Sequence, residues 1–194
     1  MKLIRKFLFI PHSFFLVWIV CAGMIVLLPS ALKAQMNEYT VKAVFLERFT
    51  RFVRWPETVQ MQDTTKPFVI GVIGENPFGN LLDQIYYHQR IKNKPVQIQY
   101  IKNLTEISDC HLLFISQKSH FDIKKIISIT ENAAILTVGD ADDYSQEGVV
   151  INFYLENSKI RFEINESALR KSGLYMSHLL LKEAKIVQPV RGVQ

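Results

Sequence analysis

The residues able to do chemistry fall in four places along the chain. Gly74 and Gly79 have the spacing of a phosphate-binding loop, set between an apolar run and a helix signal. Such a loop continues with a lysine for phosphate charge and a hydroxyl for magnesium. Asn80 and Leu81 stand there instead, so the segment reads as a strand-to-helix turn. Asp140, Asp142 and Asp143 open like a calcium loop, but the next ligand position and the glycine position hold Tyr144 and Ser145, which favours a solvated turn or helix cap. His88, His111, His120 and His178 show no pair at metal-ligand spacing and read as surface or capping residues. Cys110 and His111 are adjacent, and neighbours on a strand point to opposite faces, so they cannot act together as nucleophile and base. No reaction centre, metal site or cofactor emerges, and the chain reads as a non-enzyme.

The elements that carry these residues follow from periodicity. From Asn37 the spacing predicts a helix with Val41, Phe45, Phe49 and Phe52 as its buried stripe and Lys42, Glu47 and Arg51 away from it. Trp55-Pro56 closes that segment, because the residue before a proline is pushed out of the helical region. Phe68 to Ile73, His111 to Ile115 and Ala134 to Val138 are continuously apolar, as strands covered on both faces are. Asn76 and Pro77 suit a cap and first turn leading to Leu81, Leu82 and Ile85, and a further helix runs from about Asp122 to Ile129. Val96, Ile98 and Tyr100 alternate with Gln97 and Gln99, which places that strand near a sheet edge.

Val149 to Leu155 and Lys159 to Ile164 alternate around Asn157-Ser158, a hairpin turn. In that register Ile151, Phe153, Leu155, Ile160, Phe162 and Ile164 share one face, while Asn152, Tyr154, Arg161 and Glu163 share the other. Asn165 caps a short helix ending at Gly173, and a last helix carries Met176, Leu180, Ala184 and Val187. The predicted fold is α/β: a three-layer sandwich with a mostly parallel central sheet, an antiparallel C-terminal hairpin and flanking helices.

Lys2, Arg5 and Lys6 precede an apolar stretch that is unbroken from Phe14 to Leu28, and Ala34 then offers a signal-peptidase site. Residues 1–34 are therefore expected to be an export signal and 35–194 a single periplasmic domain. The alternative is retention as a membrane anchor through residues 7–28. Of 23 lysines and arginines, Lys2, Arg5, Lys6 and Lys33 leave with the signal and no acid does, so 19 basic residues face 18 acidic ones. A net charge of +1 gives no cationic footprint for nucleic acid. Cys110 is the one cysteine after the signal, so an internal disulfide is excluded. It is either buried or available to bridge two copies in a homodimer.

Five blocks read in order carry a more specific signal. They are Val41-Lys42-Ala43-Val44-Phe45-Leu46 with Arg51-Phe52-Val53-Arg54-Trp55-Pro56; Pro67-Phe68-Val69-Ile70-Gly71-Val72-Ile73-Gly74 with Asn76-Pro77-Phe78-Gly79; Cys110-His111-Leu112-Leu113-Phe114-Ile115-Ser116; Leu136-Thr137-Val138-Gly139-Asp140; and Ile151-Asn152-Phe153 with Ile160-Arg161-Phe162-Glu163-Ile164-Asn165. From about Tyr39 to Val187 the chain resembles the YfiR family of exported bacterial proteins. The resemblance implies a periplasmic α/β regulator without cofactor. Its implied partner is the periplasmic region of an inner-membrane diguanylate cyclase, whose repression lowers cyclic di-GMP and biofilm formation. Disulfide-bearing members carry paired cysteines; here Cys110 has no companion.

Two surfaces are candidate partner contacts: the polar hairpin face, Asn152, Tyr154, Arg161 and Glu163, and the corner of Arg51, Arg54 and Trp55. The competing reading packs the hairpin face inside the protein with Arg161 and Glu163 paired. A different class of function, a periplasmic small-ligand module, would place its pocket at the carboxyl ends of the parallel strands, at Gly74, Asn76, Gly139 and Asp140.

Overall fold

The structure, a computed structural model, describes residues 38–187, and the expected export signal lies outside the described residues. Of the described residues, 39–187 belong to one compact unit. Helix α1 covers 38–52 and is followed by β1 (Val53–Arg54), β2 (Phe68–Ile73), α2 (Leu81–Tyr86), β3 (Arg90–Ile91) and β4 (Lys94–Ile101). Then come β5 (Leu112–Ile115), α3 (Ile123–Thr130), β6 (Leu136–Gly139), β7 (Ile151–Glu156) and β8 (Lys159–Asn165). α4 (Glu166–Lys171), β9 (Tyr175–Met176), α5 (His178–Glu183) and β10 (Lys185–Val187) complete the chain.

Eight strands form one sheet in the order β10-β8-β7-β6-β5-β2-β4-β3. β4, β2, β5, β6 and β7 are mutually parallel, and β8 turns back antiparallel to β7. Buried strands divide their side chains between two cores, as the two-residue period requires. Phe68, Ile70, Val72, Leu112 and Phe114 face α1 and α2; Val69, Ile73, Leu113 and Ile115 face α3 and the 3-10 turn Leu104–Asp109. The result is the predicted three-layer α/β sandwich.

The hairpin has the predicted register, with Ile151 opposite Ile164, Phe153 opposite Phe162 and Leu155 opposite Ile160. Asn157 and Ser158 both take positive φ, the conformation of a two-residue turn that matches strand twist. Phe49 of α1 lies 5.5 Å from Phe153 and 5.1 Å from Phe162, centroid to centroid, so the apolar face of the hairpin is the floor on which α1 rests.

Three helix expectations change. The buried face of α1 is Tyr39, Lys42, Ala43, Leu46, Phe49 and Thr50, while Val41 is exposed. The hydrophobic period alone put Lys42 on the wet side; an ion pair holds it on the dry one. Asn76 does not cap α2: its carboxamide accepts from Phe78 N and donates to Gly79 O, closing a turn before a helix that starts at Leu81. The last helix breaks into β9, α5 and β10, because Met176 pairs with Val53 and Ile186 pairs with Ile164. Ladder bonds to distant strands outweigh local helix propensity there.

His111 also departs from the expected surface role. Its Nδ1 accepts a hydrogen bond from Val69 N at 3.1 Å, its ring stacks on Phe68 at 4.9 Å, and Phe68 meets Trp55 edge-on at 5.4 Å. Burial, with help from the Lys94 charge, holds the imidazole below its ordinary value of 6.5. A histidine kept neutral in the folded state stabilises above its unfolded pKa and loses that contribution as pH falls through the lower folded value. We therefore expect urea unfolding to show stability falling as pH drops below 6.5. His111→Asn, whose carboxamide oxygen still accepts from Val69 N, should flatten that part of the profile relative to the parent.

Candidate functional site

Asp140 follows β6 at the carboxyl end of the parallel strands and is the centre of a buried polar cluster. Its Oδ2 accepts from Tyr39 OH at 2.8 Å and from Lys42 Nζ at 2.9 Å, and its Oδ1 accepts from Gln117 N at 2.8 Å. Gln117 Nε2 donates to Tyr39 OH at 3.2 Å, and the Lys42 ammonium lies 4.4 Å from the Tyr39 ring centroid. The side chains of Lys42 and Asp140 are 5% and 0% exposed, so the pair is desolvated and Asp140 is no solvated turn residue. Tyr39 and Lys42 sit three residues apart on one face of α1, which is why one carboxylate can hold both.

The remaining candidate pocket residues lie beside this cluster, and the space between them is filled. In an open parallel sheet, ligands bind where successive connections leave a strand in opposite directions. Here that point lies between β2 and β5. Glu75 N donates to Lys118 O at 3.3 Å, and a Cβ built on Gly74 would lie 2.8 Å from Ser119 Cα. Phe78 from the same loop meets Tyr39 at 5.4 Å and Phe114 at 4.8 Å. Gly139 is covered by Tyr144, whose Cδ2 would be 2.6 Å from an added Cβ. Gly74, Asn76, Gly139 and Asp140 are thus brought to one end of the sheet, where α1 and two loops close over Gly139 and Asp140 while Gly74 and Asn76 stay half-buried at the rim. A cleft of about 160 Å³ opens elsewhere, between α3, α4 and residues 146–148, with Thr130, Thr137 and Lys171 in its wall. It is smaller than the roughly 300 Å³ at which ligand pockets begin.

The polar hairpin face divides in two. Asn152 and Glu163 turn inward beneath residues 140–148: Asn152 Nδ2 donates to Ala141 O at 2.9 Å, and Glu163 accepts from Ser145 Oγ and from Lys185 Nζ at 3.1 Å. The Glu163 carboxylate raises the Lys185 pKa, chiefly through that hydrogen bond. Asn165 Nδ2 fastens the same loop through Ser145 O at 2.6 Å. Arg161 is exposed and pairs with Glu156 at 3.5 Å, not with Glu163, while Tyr154 is half-buried beneath Lys185. At the other proposed corner, Arg51 and Arg54 are exposed and Trp55 is buried, its Nε1 without a partner among the described residues. Tyr39, Lys42, Gln117, Ser145 and Lys185 are the participants that sequence reasoning missed. The one available signal was a lysine inside the apolar run Val41–Leu46.

Cys110 is buried, as expected, with its Sγ lying against Gly71, where an added Cβ would come within 2.5 Å. Burial first, then Asp109 and Glu106, pushes its thiol up to about 12. Among the described residues no group of three or more His, Cys, Asp or Glu could hold a metal ion, and no helix is long and apolar enough to cross a membrane.

Residues 39–185 match the YfiR/HmsC-like family, and the chain belongs to it. Membership points to periplasmic regulation of cyclic di-GMP signalling, a regulatory and non-catalytic role. No curated protein matches the chain in sequence. Among solved structures it is similar to an ABC domain in complex with L-Trp from Streptococcus pneumonia, at 8% identity and a TM-score of 0.46, covering 66% of this chain and 59% of that one. It is also similar to a conserved domain protein from Vibrio cholerae, at 11% identity and a TM-score of 0.45, covering 67% and 58%. The chain thus spans less than two thirds of either.

Two results follow from this geometry. Asp140→Asn should cost about 3–5 kcal/mol in denaturant unfolding, because it strands a buried ammonium. The double variant Lys42→Met/Asp140→Asn should recover part of that loss, since the new carboxamide would still accept from Gln117 N and no lone charge remains. Separately, Cys110 should resist iodoacetamide in native protein and react on unfolding, and the protein and its Cys110→Ser variant should both run as monomers on a non-reducing gel.

Proposed function

We propose that this protein is an exported regulator that binds the periplasmic region of an inner-membrane diguanylate cyclase and represses it, lowering cyclic di-GMP and biofilm formation. Family membership supports the signalling context. The single observation that carries a binding role is the distribution of polar groups. The buried clusters around Asp140 and Glu163 are engaged within the protein, while large apolar side chains stand exposed at the end and edge of the sheet. Leu155, at the hairpin tip, is 60% exposed beside the Arg161–Glu156 pair, and Ile186 is 41% exposed on edge strand β10. An exposed apolar anchor ringed by charge is the composition of a protein contact.

Leu155 at the hairpin tip and Ile186 supply the apolar side of the proposed contact, Tyr154 and Arg161 flank the tip from the opposite face, and Asn152 and Glu163 hold the ground beneath that polar side. Repression requires tighter binding to the cyclase's inactive arrangement than to its active one; equal affinity would shift nothing. A hundredfold preference, worth about 2.7 kcal/mol, turns an evenly populated cyclase almost wholly inactive. Cleavage near Ala34 lets the regulator diffuse to its partner, whereas retention tethers it alongside.

Deleting the gene should raise cellular cyclic di-GMP, and restoring the parent sequence should lower it again. A folded Leu155→Asp/Arg161→Glu variant should fail to restore repression, since removing an interface anchor weakens binding by roughly tenfold or more. An unchanged cyclic di-GMP level on deletion contradicts the proposed function; full repression by the variant contradicts the assigned surface.

A further inference from the structure

The outward face of α1 has a composition that the regulator–partner contact does not use. Val41, Val44, Arg48 and Arg51 recur at helical spacing along one exposed stripe, and Arg54 extends it through β1. The Arg48 guanidinium lies 6.0 Å from the Phe45 ring centroid, and that of Arg54 lies 4.7 Å from the Tyr175 ring. Tyr175 is 55% exposed, and Leu179, on the first turn of α5, is 65% exposed. α5 begins beside the end of α1, where Ser177 N donates to Phe52 O at 2.9 Å. Within the stripe, Glu47 is bound to Arg51 Nε at 2.7 Å.

We propose that this face is a membrane-contact surface, seated on anionic phospholipid headgroups. Three features select a lipid surface over an acidic protein. The stripe lies on the outer side of a single helix continued by a short strand, and a flat headgroup layer accepts such a face. Arginine interleaved with Val, Tyr and Leu is the mixture that settles at the boundary of headgroups and acyl chains. The export expected from the N-terminal signal puts this face within reach of the bilayer that the chain has crossed. Because the chain without its signal is close to neutral, the attraction is local to these arginines and does not come from overall charge. The arginines hold the face down by Coulomb attraction, which salt screens. The exposed valines, Tyr175 and Leu179 add burial that salt does not weaken. The inference does not depend on the identity of the signalling partner.

The test uses the exported protein in the processed form that cells produce, sedimented with vesicles of phosphatidylethanolamine alone or mixed with phosphatidylglycerol. The parent should bind the mixed vesicles preferentially, with binding that weakens as salt rises. Arg48→Gln/Arg51→Gln/Arg54→Gln should lose on the order of tenfold to a hundredfold in apparent affinity, from about fivefold per arginine near an anionic surface. Any retained signal segment contributes equally to parent and variant, so their difference reads the stripe. Tyr175→Ser/Leu179→Ser, with the arginines intact, should weaken binding and steepen its salt dependence. Lys124→Gln/Lys125→Gln, on α3 across the sheet, should bind as the parent does. Circular dichroism confirms that each variant is folded. Equal binding of parent and triple-arginine variant to the mixed vesicles overturns the proposal, as does equal binding of the parent to both vesicle types. Loss of cyclase repression by the arginine variant with vesicle binding unchanged would assign the stripe to the protein partner and overturn it too.

Discussion

A lysine and an aspartate buried together, 98 residues apart in sequence, set the arrangement of this domain. Lys42 and Asp140 join the first helix to the end of the sixth strand, and Tyr39 and Gln117 supply the remaining hydrogen bonds that a desolvated carboxylate demands. Such a pair adds little net stability, because desolvation offsets its attraction, but breaking it from one side is costly. Its value is positional. Any rotation of α1 that improved hydrophobic contact would leave a charge buried alone, so the helix keeps the register in which Phe49 meets Phe153 and Phe162.

The same pair shapes what the protein can do. In parallel α/β sheets the carboxyl end is where ligands and substrates are held. Here α1 brings Tyr39 and Lys42 to that end, Phe78 fills in beside them, and the loops after β2 and β5 touch through their backbones. The position that other folds use for chemistry has become part of the core. This fits a family whose role is regulatory. In the roles proposed for them, the hairpin end meets a protein and the arginine stripe meets the bilayer.

How much of this was legible in the sequence depended on the range of the deciding interaction. The β7–β8 hairpin was read with correct register because alternation and a two-residue turn are local signals. The parallel strands were legible for the same reason, their apolar runs being continuous. The face of α1 was not, since apolar spacing favoured Val41 and could not foresee that Asp140 would draw Lys42 inward. The final helix failed because Met176 and Ile186 take their structure from Val53 and Ile164, far away in sequence. Of the candidate contacts, Arg51, Arg54 and Arg161 are exposed as expected, whereas Trp55, Asn152 and Glu163 turned out to support the surface from within. His111 looked like a surface residue until Val69 and Phe68 enclosed it.

The central claim is that α1 is a fixed part of the sheet's closed end and not a gate over a hidden pocket. Native-state hydrogen exchange on the backbone amides of α1 tests it most directly. If the account is right, amides of residues 43–50 exchange only with global unfolding, together with those of β2 and β5, and in Asp140→Asn they open earlier than those strands. Exchange of α1 well ahead of the strands in the parent protein, with the sheet still protected, would mean that the helix lifts on its own and would contradict the account.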